Sequence, residues 1–63
     1  MNGLTLKTLR EAIETLKTAK RFQQSKTKLY VSELVQAEQY FLGEDVAQPR
    51  DPRVVLAAVG YKL

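Results

Sequence analysis

Glu11 and Glu14 are the nearest thing in this chain to a catalytic pair. Two carboxylates could share general acid and base work if a pocket drove their pKa values apart. Their surroundings place them on an exposed helix surface, where nothing separates them. Glu44, Asp45 and Asp51 bring three more carboxylates together in sequence, but their spacing does not fit a calcium loop of the EF-hand kind. The chain contains neither His nor Cys. A Ser-His or Cys-His nucleophile is therefore impossible, and the usual zinc ligands are missing. Gly3, Gly43 and Gly60 stand alone and form no phosphate-binding loop. These residues predict no enzyme, no metal, no cofactor and no small-molecule substrate.

The basic residues are more informative. Lys7, Arg10, Lys17 and Arg21 succeed one another at steps of three, seven and four, roughly along one helix face, with Glu14 interrupting. Such a line could contact nucleic acid by neutralising phosphates, or an acidic protein partner. The plainer reading is a solvated face that keeps the protein soluble. The charge is uneven: residues 1–28 carry seven cations against two anions, and residues 29–63 three against five. The basic half could thus equally attract the acidic half of a second copy. No glycine marks a DNA-reading helix-turn-helix, and the polar connector looks long for one. Phe22, Tyr30, Tyr40 and Phe41 read as packing residues before base-stacking ones, with Tyr40 beside the seam as a candidate partner contact.

Helices must position these groups. Leu6, Leu9, Ile13 and Leu16 recur at three, four and three, which puts them on one side of a helix over about residues 5–24. Ala12 and Ala19 widen that stripe. Thr5 is a candidate N-cap, and Thr8 with Glu11 matches a competing capping box. The stripe fails after Ala19, where Phe22 sits off its centre. Residues 25–28 read as a connector, with Ser25 or Thr27 able to cap the next helix. That second helix, over about residues 28–42, carries Tyr30, Leu34, Ala37 and Phe41 at four, three and four, and Gly43 ends it. Leu29 to Val31 also has strand character. Residues 43–51 read as loop. Asp51 as N-cap and Pro52 at the first helical position start a short segment over about residues 52–59, closed by Gly60. Its β-branched content leaves a strand open there. Val54, Val55, Leu56 and Val59 could pack on the hairpin or serve as a docking surface.

At 63 residues the chain is one small domain. A core of this size supplies about 3–5 kcal/mol, and without Cys or metal ligands the remaining reinforcement is oligomerisation. The expected fold is all-α: an antiparallel two-helix hairpin with a short C-terminal helical segment. Pairing of two hairpins into a homodimeric bundle would bury the apolar stripes. The C-terminal segment covering the hairpin within one chain is the monomeric alternative. The proposed dimer or core seam is Leu6, Leu9, Ile13, Leu16, Tyr30, Leu34, Ala37 and Phe41. No apolar run is long enough to span a membrane, and the start lacks the pattern of a signal peptide, so a soluble cytoplasmic protein is expected.

Taken whole, and especially in its opening Met-Asn-Gly-Leu-Thr-Leu-Lys-Thr-Leu-Arg-Glu-Ala-Ile-Glu-Thr-Leu-Lys, the chain resembles a small early protein of lambdoid bacteriophages, encoded between the exonuclease and excisionase genes. The resemblance implies a mainly helical accessory protein acting in the host cytoplasm to favour phage development. It supplies no catalytic or binding residues. The residues and the resemblance together predict a non-enzymatic regulator that binds a host or phage protein. The alternative is a nucleic-acid-binding regulator using the basic face of the first helix.

Overall fold

Three α-helices succeed one another in the computed structural model, which describes residues 4–62: α1 is Leu6–Thr18, α2 is Ser25–Phe41 and α3 is Pro52–Val59. Residues 1–3 and Leu63 lie outside the described residues. No strand occurs among the described residues, so the strand readings of Leu29 to Val31 and of the C-terminal segment give way to helix.

Helix α1 starts where its hydroxyls can satisfy the free amides. The Thr5 hydroxyl accepts from the Thr8 amide at 3.2 Å, and the Thr5 amide donates to the Thr8 hydroxyl at 2.7 Å. The capping box is therefore Thr5 with Thr8, not Thr8 with Glu11. The helix also stops earlier than residue 24. Ala19 turns to an extended conformation, with φ −74° and ψ 131°. The Gln23 side-chain amide then donates to the carbonyls of Lys17, at 3.0 Å, and Ala19, at 3.4 Å. A polar side chain thus caps a helix end that has no glycine. Lys20–Phe22 forms a single 3₁₀ turn, which swings the Phe22 ring into the core.

Residues 25–28, expected as connector, are the first turn of α2. Neither Ser25 nor Thr27 caps it: Gln24 holds the N-cap position and makes no side-chain capping bond. At the other end Gly43 takes φ +83°. There the Gly43 amide reaches the Tyr40 carbonyl at 3.1 Å and the Glu44 amide reaches Gln39 at 3.0 Å, the paired closure that a left-handed residue permits. Helix α3 opens as expected, with the Asp51 carboxylate accepting from the Arg53 amide at 2.9 Å and Pro52 at the first position.

Early α1 meets late α2 through Arg10 and Glu38, and late α1 lies beside the start of α2, so the two helices run antiparallel. Helix α3 packs onto α2. Leu9, Ala12, Ile13 and Leu16 from α1 share one core with Phe22, with Leu34 and Ala37 from α2, and with Val55 and Leu56 from α3. The amino-terminal ridge is therefore covered within a single chain, with α3 joining the hairpin in one core. Among the described residues no helix is long and apolar enough to cross a membrane.

Candidate interaction surfaces

The seam residues separate into two groups. Leu9, Ile13, Leu16, Leu34 and Ala37 are buried, and Leu6 and Tyr30 are partly covered. Phe41 departs from the expectation, since 57% of it is exposed. It is the last helical residue of α2, and the chain leaving Leu42 does not fold back over its ring. The ring centroid of Tyr40 lies 6.5 Å from that of Phe41. Leu42 is exposed beside them, as are Val35 on the same helix and Val54 on α3. A shallow groove next to Tyr40 and Phe41 is lined by Leu4, Pro49 and Pro52. Periodicity alone cannot find this patch, because Phe41 fits the seam by spacing and leaves it by position.

Phe22, Val55 and Leu56 fill the core although the expected seam omits them. The early end of α1 is what brings Phe22 in: off-centre on a continued helix, it becomes central once a 3₁₀ turn intervenes. Tyr61 returns onto it, with ring centroids 6.3 Å apart.

The proposed basic line is not held together. Lys7, Arg10, Lys17 and Arg21 are all exposed, but Arg10 is tied to Glu38 on α2 at 3.0 Å. Arg21 belongs to the 3₁₀ turn, with its guanidinium 4.6 Å from the centroid of the Phe22 ring. What the fold assembles is a different cluster at the corner between α1 and α2. Lys17 and Lys28 flank one groove there, and Arg21 and Lys26 line a smaller one behind it. Lys20 adds a fifth cation, and no Asp or Glu occurs from residue 15 to residue 32.

Acidic groups are paired elsewhere. The hydrogen bond from Arg50 holds the Glu33 carboxyl below its ordinary value, and the Arg53 side chain does the same for Asp51, with help from the Arg53 amide. Each is an exposed ion pair, so neither is a site prepared for proton transfer. Among the described residues no group of three or more His, Cys, Asp or Glu is placed to hold a metal ion.

No protein-family model, curated protein or solved structure matches the chain.

Proposed function

We propose that this chain is a non-enzymatic accessory protein of a lambdoid phage that binds a host or phage protein early in infection, in the host cytoplasm. The observation that carries the reading is the exposed Tyr40-Phe41-Leu42 end of α2. The core is already closed by three helices, so these side chains are not needed to complete the single-chain fold. Large aromatic and aliphatic groups grouped on the outside of a small domain favour a protein partner. Proximity to Pro49 and Pro52 gives the patch a semi-rigid border. The likeness of the opening residues to the phage protein supports the biological setting.

Affinity capture from expressing cells tests this, with wild type and a Phe41→Ser, Leu42→Ser double variant compared in parallel. The expected result is a partner retained by wild type and lost by the variant, while circular dichroism shows unchanged helix content. Equal retention by both, or no partner under low-salt conditions that preserve weak complexes, overturns it. A second copy of the chain is another occupant for the same patch, as the homodimer reading holds. Light scattering separates the two, because self-pairing doubles the solution mass and the double variant restores the monomer.

The nucleic-acid alternative draws its support from the corner cations rather than from a continuous face of α1. Titration of labelled duplex DNA and RNA at two salt concentrations tests it. Binding that weakens with salt and disappears in Lys17→Glu plus Arg21→Glu supports this second reading.

A further inference from the structure

We propose that α3 is a tethered helical ligand of the α1–α2 hairpin, which undocks as a unit and yields its seat to an amphipathic helix of a partner protein. The seat is a buried side of the hairpin, so the inference does not rest on the exposed Tyr40 end of α2.

Hydrogen bonds draw the boundary of the unit. Among the described residues, no hydrogen bond or ion pair joins residues 51–62 to an earlier residue. Both ends of α3 are closed from within. The Asp51 carboxylate accepts from the Arg53 amide, and the Gly60 and Tyr61 amides donate to the Ala57 and Leu56 carbonyls. Arg53 pairs with Asp51 rather than with another helix. The hairpin is joined differently. Backbone hydrogen bonds run through its turn, from the Phe22 amide to Ala19 and from the Gln23 amide to Lys20, and Arg10 bridges to Glu38. Residues 45–50, which lead to α3, meet α2 through surface hydrogen bonds of side chains, Arg50 to Glu33 and Gln36 to the Ala47 carbonyl.

Apolar burial is what seats α3. Val55 and Leu56 enter the core with Leu9, Leu34 and Phe22, and the Tyr61 ring returns onto Phe22. Val54, on the outer side, stays exposed. This is the pattern by which an apolar groove receives a helix, so α3 itself shows what chemistry the seat accepts. Undocking breaks no hydrogen bond between α3 and the hairpin. It uncovers apolar surface and returns conformational entropy to a segment of eight residues, too short to be a stable helix in isolation. A peripheral element held in this way opens at a lower free energy than the whole fold. The tether keeps α3 at high effective concentration beside its seat, so an incoming helix must outcompete it. Helix α3 is thus an autoinhibitory contact as well as part of the core.

Hydrogen exchange of the wild-type chain at low urea tests the opening. The α3 amides of Leu56 to Val59 should exchange at least about tenfold faster than the α1 amides of Ile13 to Leu16, with a weaker dependence on urea, because less surface is exposed. Equal rates with equal urea dependence would make α3 inseparable from the rest and overturn the proposal. The vacated seat is tested with Leu56→Asp in the full chain, which prevents docking. Its α1 and α2 amide resonances should stay dispersed, and it should bind a synthetic peptide of residues 51–62 saturably. The same peptide carrying Leu56→Asp should not bind, and wild-type protein should bind the unaltered peptide about tenfold more weakly or worse, since its own α3 competes. Collapse of α1 and α2 in Leu56→Asp, equal binding of the two peptides, or equal affinity of the two proteins for the unaltered peptide overturns it.

Discussion

Arg50 grips Glu33 through two parallel hydrogen bonds, Nε to Oε1 at 2.7 Å and Nη2 to Oε2 at 2.9 Å. The pair joins the segment between α2 and α3 to the middle of α2. The Gln36 side-chain amide adds a second tie, donating to the Ala47 carbonyl at 2.8 Å. Together they lay residues 42–51 along α2 and deliver Asp51 to the start of α3. The fork geometry is specific to arginine. Arg50→Lys should therefore loosen the segment nearly as much as Arg50→Ala. Hydrogen exchange would show it as faster exchange in α3 with α1 unaffected. Unchanged α3 protection in both variants would mean that packing of Val55 and Leu56 alone seats the helix.

Acid should destabilise the fold through the same contacts. Glu33 and Asp51 have ordinary values of 4.5 and 3.8, and each is lowered in the folded chain, by Arg50 and Arg53 respectively. A carboxyl with a depressed folded pKa binds its proton more readily when unfolded. Its contribution is complete above the ordinary value and is lost as pH falls through the folded value. Melting temperature should therefore hold steady from neutral pH down to the ordinary carboxyl range and drop below it. Both groups are largely exposed, so salt should shrink the effect. Glu33→Gln combined with Asp51→Asn should flatten the acid limb while keeping an N-cap on α3. A limb of undiminished depth in that variant would place the acid sensitivity outside these two ion pairs.

Leu34 is wholly buried between helices. Leu34→Ala removes buried methyl groups and leaves a cavity, at a cost of about 2–5 kcal/mol. A domain of this size has about 3–5 kcal/mol to lose. Denaturant unfolding should find the variant near or beyond its limit at room temperature. Leu9→Asp should be worse, because it places a charge where no partner can reach. Phe41→Ala, although on the same expected seam, should cost far less in a single chain. If Phe41→Ala and Leu34→Ala proved equally damaging, Phe41 would have to be covered in solution, as a paired hairpin would require.

What the residues make legible depends on the range of each interaction. The α1 ridge, Thr5 as cap, Asp51 with Pro52, and the two closing glycines are local signals, and all of them appear in the fold. The end of α1 is not legible, since good helix formers run on past Thr18. What stops the helix is the Gln23 amide folding back six residues to the Lys17 carbonyl. The start of α2 lies earlier than the pattern predicts for a related reason: it has no side-chain cap to announce it. Arg10 with Glu38 joins residues 28 apart, so the basic line is continuous in sequence although the fold divides it. Thr27 has the residue type of a cap, and only its burial turns it into part of a groove.

Gly60 provides the cleanest test of a backbone requirement. It closes α3 at φ +88°, with its own amide bonded to the Ala57 carbonyl at 3.2 Å and the Tyr61 amide bonded to Leu56 at 2.9 Å. That turn is what returns Tyr61 to the Phe22 ring. A Cβ built on Gly60 meets nothing within 4 Å, so steric crowding by neighbours is absent. The remaining penalty is the backbone conformation itself, about 1–2 kcal/mol for an L-residue. Gly60→Ala should therefore lower the melting temperature by about 4–8 °C per kcal/mol lost, as expected for a domain of this size. Gly60→Asn should lose less, because asparagine tolerates the left-handed region better than alanine. Near-ultraviolet circular dichroism should report a weakened Tyr61 environment in the alanine variant before helix content changes. If alanine and asparagine behave alike and neither disturbs Tyr61, the left-handed turn is not what seats the ring.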